Sequence, residues 1–207
     1  MTHITVSGAA EARVPADQAD LYASVSRRDA SREAALAGAN EAHARLVERA
    51  KALVAEGAAS RYDADPVSTY SNTWRDERGE NVVEHQANAS VRIVLTALER
   101  VGEVAAELTA SGADVRVQWE LGSALRQEWT RRLRADAVAD ARVAAGDYAA
   151  AIGAGEPALV SLSDGRGGGG PVPVAGARMA MADMAAPEVT VGQIDVSVRI
   201  EAVFTAE

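Results

Sequence analysis

A chain of 207 residues has room for one large domain or two small ones. Its apolar fraction of 48% suffices for a core, but aromatic residues make up only 4%, so the core has to be assembled from many small contacts, with Trp74, Trp119, Trp129, Tyr148 and Phe204 as its bulky pieces. A net charge of −9 disfavours a general nucleic-acid or anionic-membrane surface, and the absence of cysteine removes disulfides, thiolate nucleophiles and thiolate metal ligands together.

Ile4, Val6, Gly8, Ala10, Ala12 and Val14 alternate with other residues up to Pro15, which predicts a strand. A second strand is expected from Asp17 to Arg28, with Ala19, Leu21, Ala23 and Val25 on one face, and the short gap between the two predicts a hairpin. Ser31 and Glu33 suit a helix start, Leu36, Ala39, His43, Leu46, Ala50 and Leu53 form its stripe, and Gly57 ends it. A strand from about Tyr62 to Trp74 follows, with Pro66 pointing to an edge or a bulge. After the polar turn Arg75 to Asn81, the next strand carries His85, Ala87, Ala89, Val91, Ile93 and Leu95 on one face.

Thr96 and Glu99 have capping-box spacing before a short helix that stops near Gly112. Val115, Val117, Trp119 and Leu121 alternate with Asp114, Arg116, Gln118 and Glu120, so a strand with one wet face is expected, Trp119 buried toward the helical layer. A long helix of about 30 residues, roughly 45 Å at 1.5 Å per residue, then runs from Ser123 to about Ile152, its buried side marked by Leu125, Trp129, Leu133, Ala137, Ala141, Tyr148 and Ile152. Gly146 within it suggests a bend. Ala158 to Ser163 is a strand, and Val189 to Phe204 is the last one, with a change of parity at Gly192–Gln193 that suggests a bulge.

The order ββαββαβαββ makes an α+β protein with an antiparallel sheet. Its middle, Asp17 to Leu121, reads as a ferredoxin-like split βαβ unit. One domain over residues 1–207 is expected, with a flexible Gly/Pro/Met-rich loop at 165–187. No apolar run approaches the roughly 18 residues that a membrane helix needs. MTHITVSG enters a strand pattern with no basic and apolar leader ahead of it, so a cytoplasmic location is expected.

ITVSGAAEARVPADQADLYASV, RADAVADARVAAGDYAAAIG and VTVGQIDVSVRIEAVF resemble, in order, the opening, the alanine-rich helix and the closing strand of SIMPL-domain proteins. In that family these read as I-x-V-x-G-x-G leading to P-D-x-A, A-x-x-D-A-x-x-x-A, and P-G-E-I-x-V-S-A-x-V-x-V-x-F. The resemblance runs from Ile4 to Phe204. Ala10 stands in place of the second glycine, Val191 where proline is common and Gln193 where glutamate is common. The resemblance implies an α+β fold, self-association, and roles in stress tolerance or protein interaction; it implies no substrate, no cofactor and no catalytic residue. Many such proteins resemble exported envelope proteins, so a trimmed periplasmic form is the alternative location.

Candidate chemistry is sparse. Gly167 to Gly170 follow a strand, as a phosphate loop would, but Pro171 and Pro173 come next and the lysine and Ser/Thr of a P-loop are missing, so a connector is expected. Met179, Met181 and Met184 form either a soft patch for a partner or a cover for the chain's own core. His3, His43 and His85 have no metal-ligand spacing, and His43 is expected half-buried and hydrogen-bonded. Asp63 and Asp65 share strand parity and suit a cation or an acid/base pair, but a solvated face explains them more simply. Arg126, Arg131, Arg132 and Arg134, interleaved with Glu128 and Asp136, read as a solvated helix face. There is no G-x-S-x-G elbow. The expectation is a non-enzymatic protein that binds no metal or cofactor and associates with copies of itself or a protein partner. The alternative is a small-ligand binder or enzyme with a pocket between the long helix and the sheet.

Overall fold

The computed structural model describes residues 1–75, 77–164 and 190–207. Their order is β1 (Thr2–Pro15), β2 (Gln18–Asp29), α1 (Arg32–Ala55), β3 (Ala59–Ala64), β4 (Ser68–Arg75), β5 (Asn81–Leu95), α2 (Val101–Ala110), β6 (Asp114–Glu120), α3 (Ser123–Ala151), β7 (Ala158–Asp164) and β8 (Gln193–Ala206), with a 3-10 turn at Leu98–Arg100 leading into α2. The strand expected from Tyr62 to Trp74 is two strands. Pro66 falls between them, where its missing N–H can join no ladder. The 165–187 loop lies outside the described residues.

The expected β1–β2 hairpin does not form. β1 pairs along its whole length with β8, from Thr2↔Ala206 to Pro15↔Gln193, while β2 lies between β5 and β6. Pro15 has no N–H to give, and the N–H of Ala16 is taken by the Gly192 carbonyl at 2.9 Å, so the chain leaves one sheet for another here.

The chain divides into two compact units, one containing Asp17–Glu120 and the other Met1–Ala16, the described part of Leu121–Met181, and Gly192–Glu207. In the Asp17–Glu120 unit the strand order is β3-β5-β2-β6, with β4 also paired to β5, and every pairing is antiparallel. That is the order of a ferredoxin-like split βαβ. Ala19, Leu21, Ala23 and Val25 of β2 and Val91, Ile93 and Leu95 of β5 meet Leu46 and Leu53 of α1 and Val101, Val104 and Leu108 of α2 in one core. Ser31 caps α1, its Oγ accepting from the Ala34 N–H. At the other end Gly57 takes φ 76°, and the Ala58 and Gly57 amides reach back to the carbonyls of Leu53 and Val54.

Two expectations in this unit are corrected. The Thr96–Glu99 capping box is absent: Thr96 Oγ1 donates to the Ala58 carbonyl at 3.3 Å instead, and the turn that follows has no side-chain cap. Trp119 packs against the core but is only half-buried, because β6 is the edge of its sheet. Leu121 lies just beyond that strand and belongs to the core of the other unit.

In that second unit the sheet order is β1-β8-β7, and α3 packs across β1 and β8. The buried line of α3 is Leu133, Ala137, Ala141, Ala145 and Ala149, set against Ile4, Val6, Val14, Val196, Val198, Ile200 and Phe204. The line advances by four residues at each step, which carries Tyr148 and Ile152 off it; they are 60% and 58% exposed instead of buried. Of the expected bulky core pieces, Phe204 is fully buried, Trp119 and Trp129 are half-buried, and Trp74 is exposed like Tyr148. The helix is continuous through Gly146. The register of β1 with β8 is unbroken, so the bulge expected at Gly192–Gln193 is absent; β8 begins at Gln193, and the irregularity lies in β7, between Leu159 and Ser161.

Candidate functional site

The three histidines have different surroundings. His3 is exposed in β1. His85 of β5 sits opposite Ser71 of β4, with Nδ1 2.7 Å from the serine Oγ. His43 is half-buried beside the α1 stripe as expected, but its Nε2 is buried with no hydrogen-bond partner among the described residues, which corrects the expectation of a hydrogen-bonded ring. Among the described residues no group of three histidines and carboxylates is placed to hold a metal ion.

Asp63 and Asp65 do not converge on a shared centre. Asp63 is exposed and lies 3.7 Å from Arg61 and 3.9 Å from Arg92, whose charges disfavour a cation there. Asp65, beyond the end of β3, accepts from Ser90 Oγ. The arginines of α3 are a solvated face as expected: Arg132 pairs with Glu128 and stacks on Trp129, and Arg134 reaches Asp164 at 3.4 Å. The glycine run and Met179, Met181 and Met184 lie outside the described residues.

The polar face of the β2–β5–β6 sheet carries a buried ion pair. Asp20 is 1% exposed, and its Oδ2 accepts from Arg92 Nε at 3.1 Å and from Nη2 of the same side chain. Tyr22, next on the same face, has the Arg92 guanidinium 5.8 Å from its ring centre and that of Arg116 at 4.9 Å. A shallow depression of about 330 Å³ runs from Tyr22 and Arg116 to Ser24, Asp114 and Val115. Asp20 and Arg92 neutralise each other, while Asp114 and Arg116 line the depression.

The β7 strand is different in kind. Leu159 and Leu162 pair with Phe204 and Ala202, both buried toward α3, so they share that side of the sheet. Yet among the described residues α3 packs mainly over β1 and β8 and leaves the apolar residues of β7 largely uncovered. Leu159, Val160 and Leu162 are accordingly 43%, 58% and 49% exposed. A second depression, of about 290 Å³, lies between α3 and this strand, lined by Arg142, Gly146, Glu156, Pro157, Leu159 and Phe204. Neither His43 nor His85 lines it. Periodicity reads β7 as a strand, but the bareness of its apolar residues depends on how far α3 reaches across the sheet. The available signal is compositional: ALVSLS has three branched apolar residues and no charge.

The stretches resembling SIMPL proteins have a packing role. Gly8 of β1 lies against α3 at Ala137 and Ala141, and Asp140 Oδ2 accepts the Ala9 N–H at 3.0 Å, so the alanines and aspartate of the helix pattern hold β1. Fold and surface together define an α+β protein of antiparallel sheets backed by helices, with no helix among the described residues long and apolar enough to cross a membrane. Residues 4–204 match SIMPL, a protein of unknown function (DUF541), and the chain belongs to that family. A comparison with the curated proteins finds no match.

Proposed function

We propose that this protein works by association, with copies of itself or with a protein partner, and that it catalyses no reaction. The observation that supports this reading is the bare apolar surface of β7, where three branched side chains stay in water although a helix-covered core lies one strand away. Surface of this kind is commonly where a protein meets another chain. The polar groups described above support it in a second way, since Asp20 and Arg92 pair with each other and Arg116 lies over Tyr22, contacts that hold the fold. The stress-related role implied by the family resemblance fits such association, and survival of a deletion strain under stress is its test.

Light scattering over a concentration series checks the first arm of the proposal. A defined oligomer is the expected result, and a mass that stays at one chain throughout removes self-association. A second reading, a small-ligand binder, rests on the depression beside Gly146, where a glycine keeps the helix side open and Arg142 and Glu156 offer opposite charges. Saturable ligand stabilisation that Gly146→Leu abolishes would favour it.

A further inference from the structure

Within the reading of a self-associating protein, we propose that two copies join through β7, edge to edge and antiparallel, forming one continuous sheet in the order β1-β8-β7-β7-β8-β1. The inference rests on that reading and adds the surface and the symmetry.

Among the described residues β7 is an outer strand of its sheet, paired on one side only, to β8. Unpaired edges invite strand addition, and proteins usually blunt them with charge. Three other outer strands follow that habit: β1 carries Glu11 and Arg13, β3 carries Arg61 and Asp63, and β6 carries Asp114, Arg116 and Glu120, whereas β4, paired to β5, has its one charge, Arg75, at its end. From Ala158 to Ser163, β7 carries no charge at all.

The occupant that fits this edge is the same edge in a second copy. Antiparallel pairing of a strand with itself is a two-fold contact in which both copies offer identical surface. Centred on Ser161, it sets Val160 opposite Leu162 of the second copy and Leu162 opposite its Val160, so branched apolar side chains cover one another. Charge selects the direction. Asp164 is the sole ionised residue of β7, and the antiparallel arrangement places it opposite Ala158 of the other copy. The two Asp164 carboxylates then stand about 20 Å apart at ~3.4 Å per residue. A parallel arrangement would set them side by side, in a chain whose net charge is already −9.

The experiment combines light scattering with crosslinking on the full chain. The wild type is expected at twice the chain mass, and Val160→Lys and Leu162→Lys at half of that with unchanged far-UV circular dichroism. Because the chain has no cysteine, Ser161→Cys is a clean probe that keeps the strand intact. Its thiols meet across the two-fold axis and are expected to give a disulfide-linked dimer on oxidation, whereas Glu48→Cys on α1 does not. An oligomer that keeps its mass in both lysine variants and crosslinks no better at 161 than at 48 overturns pairing through β7 while self-association stands. A monomeric wild type, the outcome if other residues of the same chain or a different protein cover the strand, overturns both.

Discussion

Gly8 on β1 and Ala137 on α3 approach so closely that a Cβ on the glycine would run into the Ala137 carbonyl oxygen, with Ala141 Cβ only 2.9 Å away. The obstacle is helix backbone, which cannot rotate aside as a side chain can. Any residue other than glycine therefore has to push α3 off the sheet, through the line Ala137, Ala141 and Ala145 that is buried there. Gly8→Val is expected to destabilise the fold by about 3 kcal/mol, at the upper end for overpacking. Gly38→Ala, where the nearest atoms belong to the flexible Arg27 side chain at 3.5 Å, is expected to lie within about 1 kcal/mol of the wild type, because helix propensity then favours alanine. Urea denaturation of both variants checks this, and equal midpoints would refute the close approach.

Asp20 and Arg92 set a second expectation. The carboxylate is almost wholly buried, and Arg92 is its partner in an ion pair with two hydrogen bonds, while Oδ1 is buried without one among the described residues. Removing only the arginine strands a buried charge, so Arg92→Leu is expected to cost about 3 kcal/mol. Adding Asp20→Leu removes the stranded charge and is expected to restore most of that loss. A double variant no more stable than the single one would mean that the carboxylate is served by something else.

The ion pairs joining α1 to α2 make stability depend on pH. Glu56 receives Arg100 at 2.9 Å and Arg49 at 3.2 Å, and Arg49 also meets Glu107 at 2.8 Å. Hydrogen bonding from Arg100, then from Arg49, holds the Glu56 carboxyl below its ordinary value of 4.5, against an opposing desolvation. A carboxyl with a lowered folded-state pKa contributes stability above its unfolded pKa and loses it as pH falls through the folded value. Glu56→Gln is therefore expected to be less stable than the wild type at pH 7, with the gap closing below about pH 4. Salt is expected to narrow the gap at pH 7, since the carboxylates are exposed. Thermal melts across pH 3 to 7 test the sign, and a gap that widens on acidification would refute it.

What was legible in the sequence was whatever periodicity governs. Ala19, Leu21, Ala23 and Val25 alternate on a strand with one buried face, and all four are buried; the split βαβ order follows from stringing such elements together. Pairing across long separations was not legible. Nothing local tells β1 to take β8, 178 residues on even at the Pro15↔Gln193 end, when β2 begins three residues after Pro15. Thr96 found a carbonyl from a distant turn instead of its own helix start, and the bare face of β7 depends on α3 covering only two of three strands. In each case a tertiary contact settles a choice that local spacing leaves open. Met179, Met181 and Met184, the patch singled out from the sequence, lie outside the described residues.

His43 closes the set of expectations because its buried nitrogen lacks a partner. The ring lies beside the α1 stripe, next to Ala42, and Nε2 is shielded from water without a hydrogen bond among the described residues. An unpaired polar atom in such a place costs about 1–3 kcal/mol relative to a satisfied one. Leucine has a comparable reach, favours the helix more than histidine does, and carries no polar atom to strand. His43→Leu is thus expected to raise stability by about 1 kcal/mol at pH 7. His43→Ala is expected to lower it, because the ring's packing is lost and leaves a gap. The pair of variants separates the two contributions in a chemical-denaturation series. A leucine variant less stable than the wild type would mean that Nε2 is bonded, through a buried water or through residues beyond those described, and that the histidine is held there by its polarity.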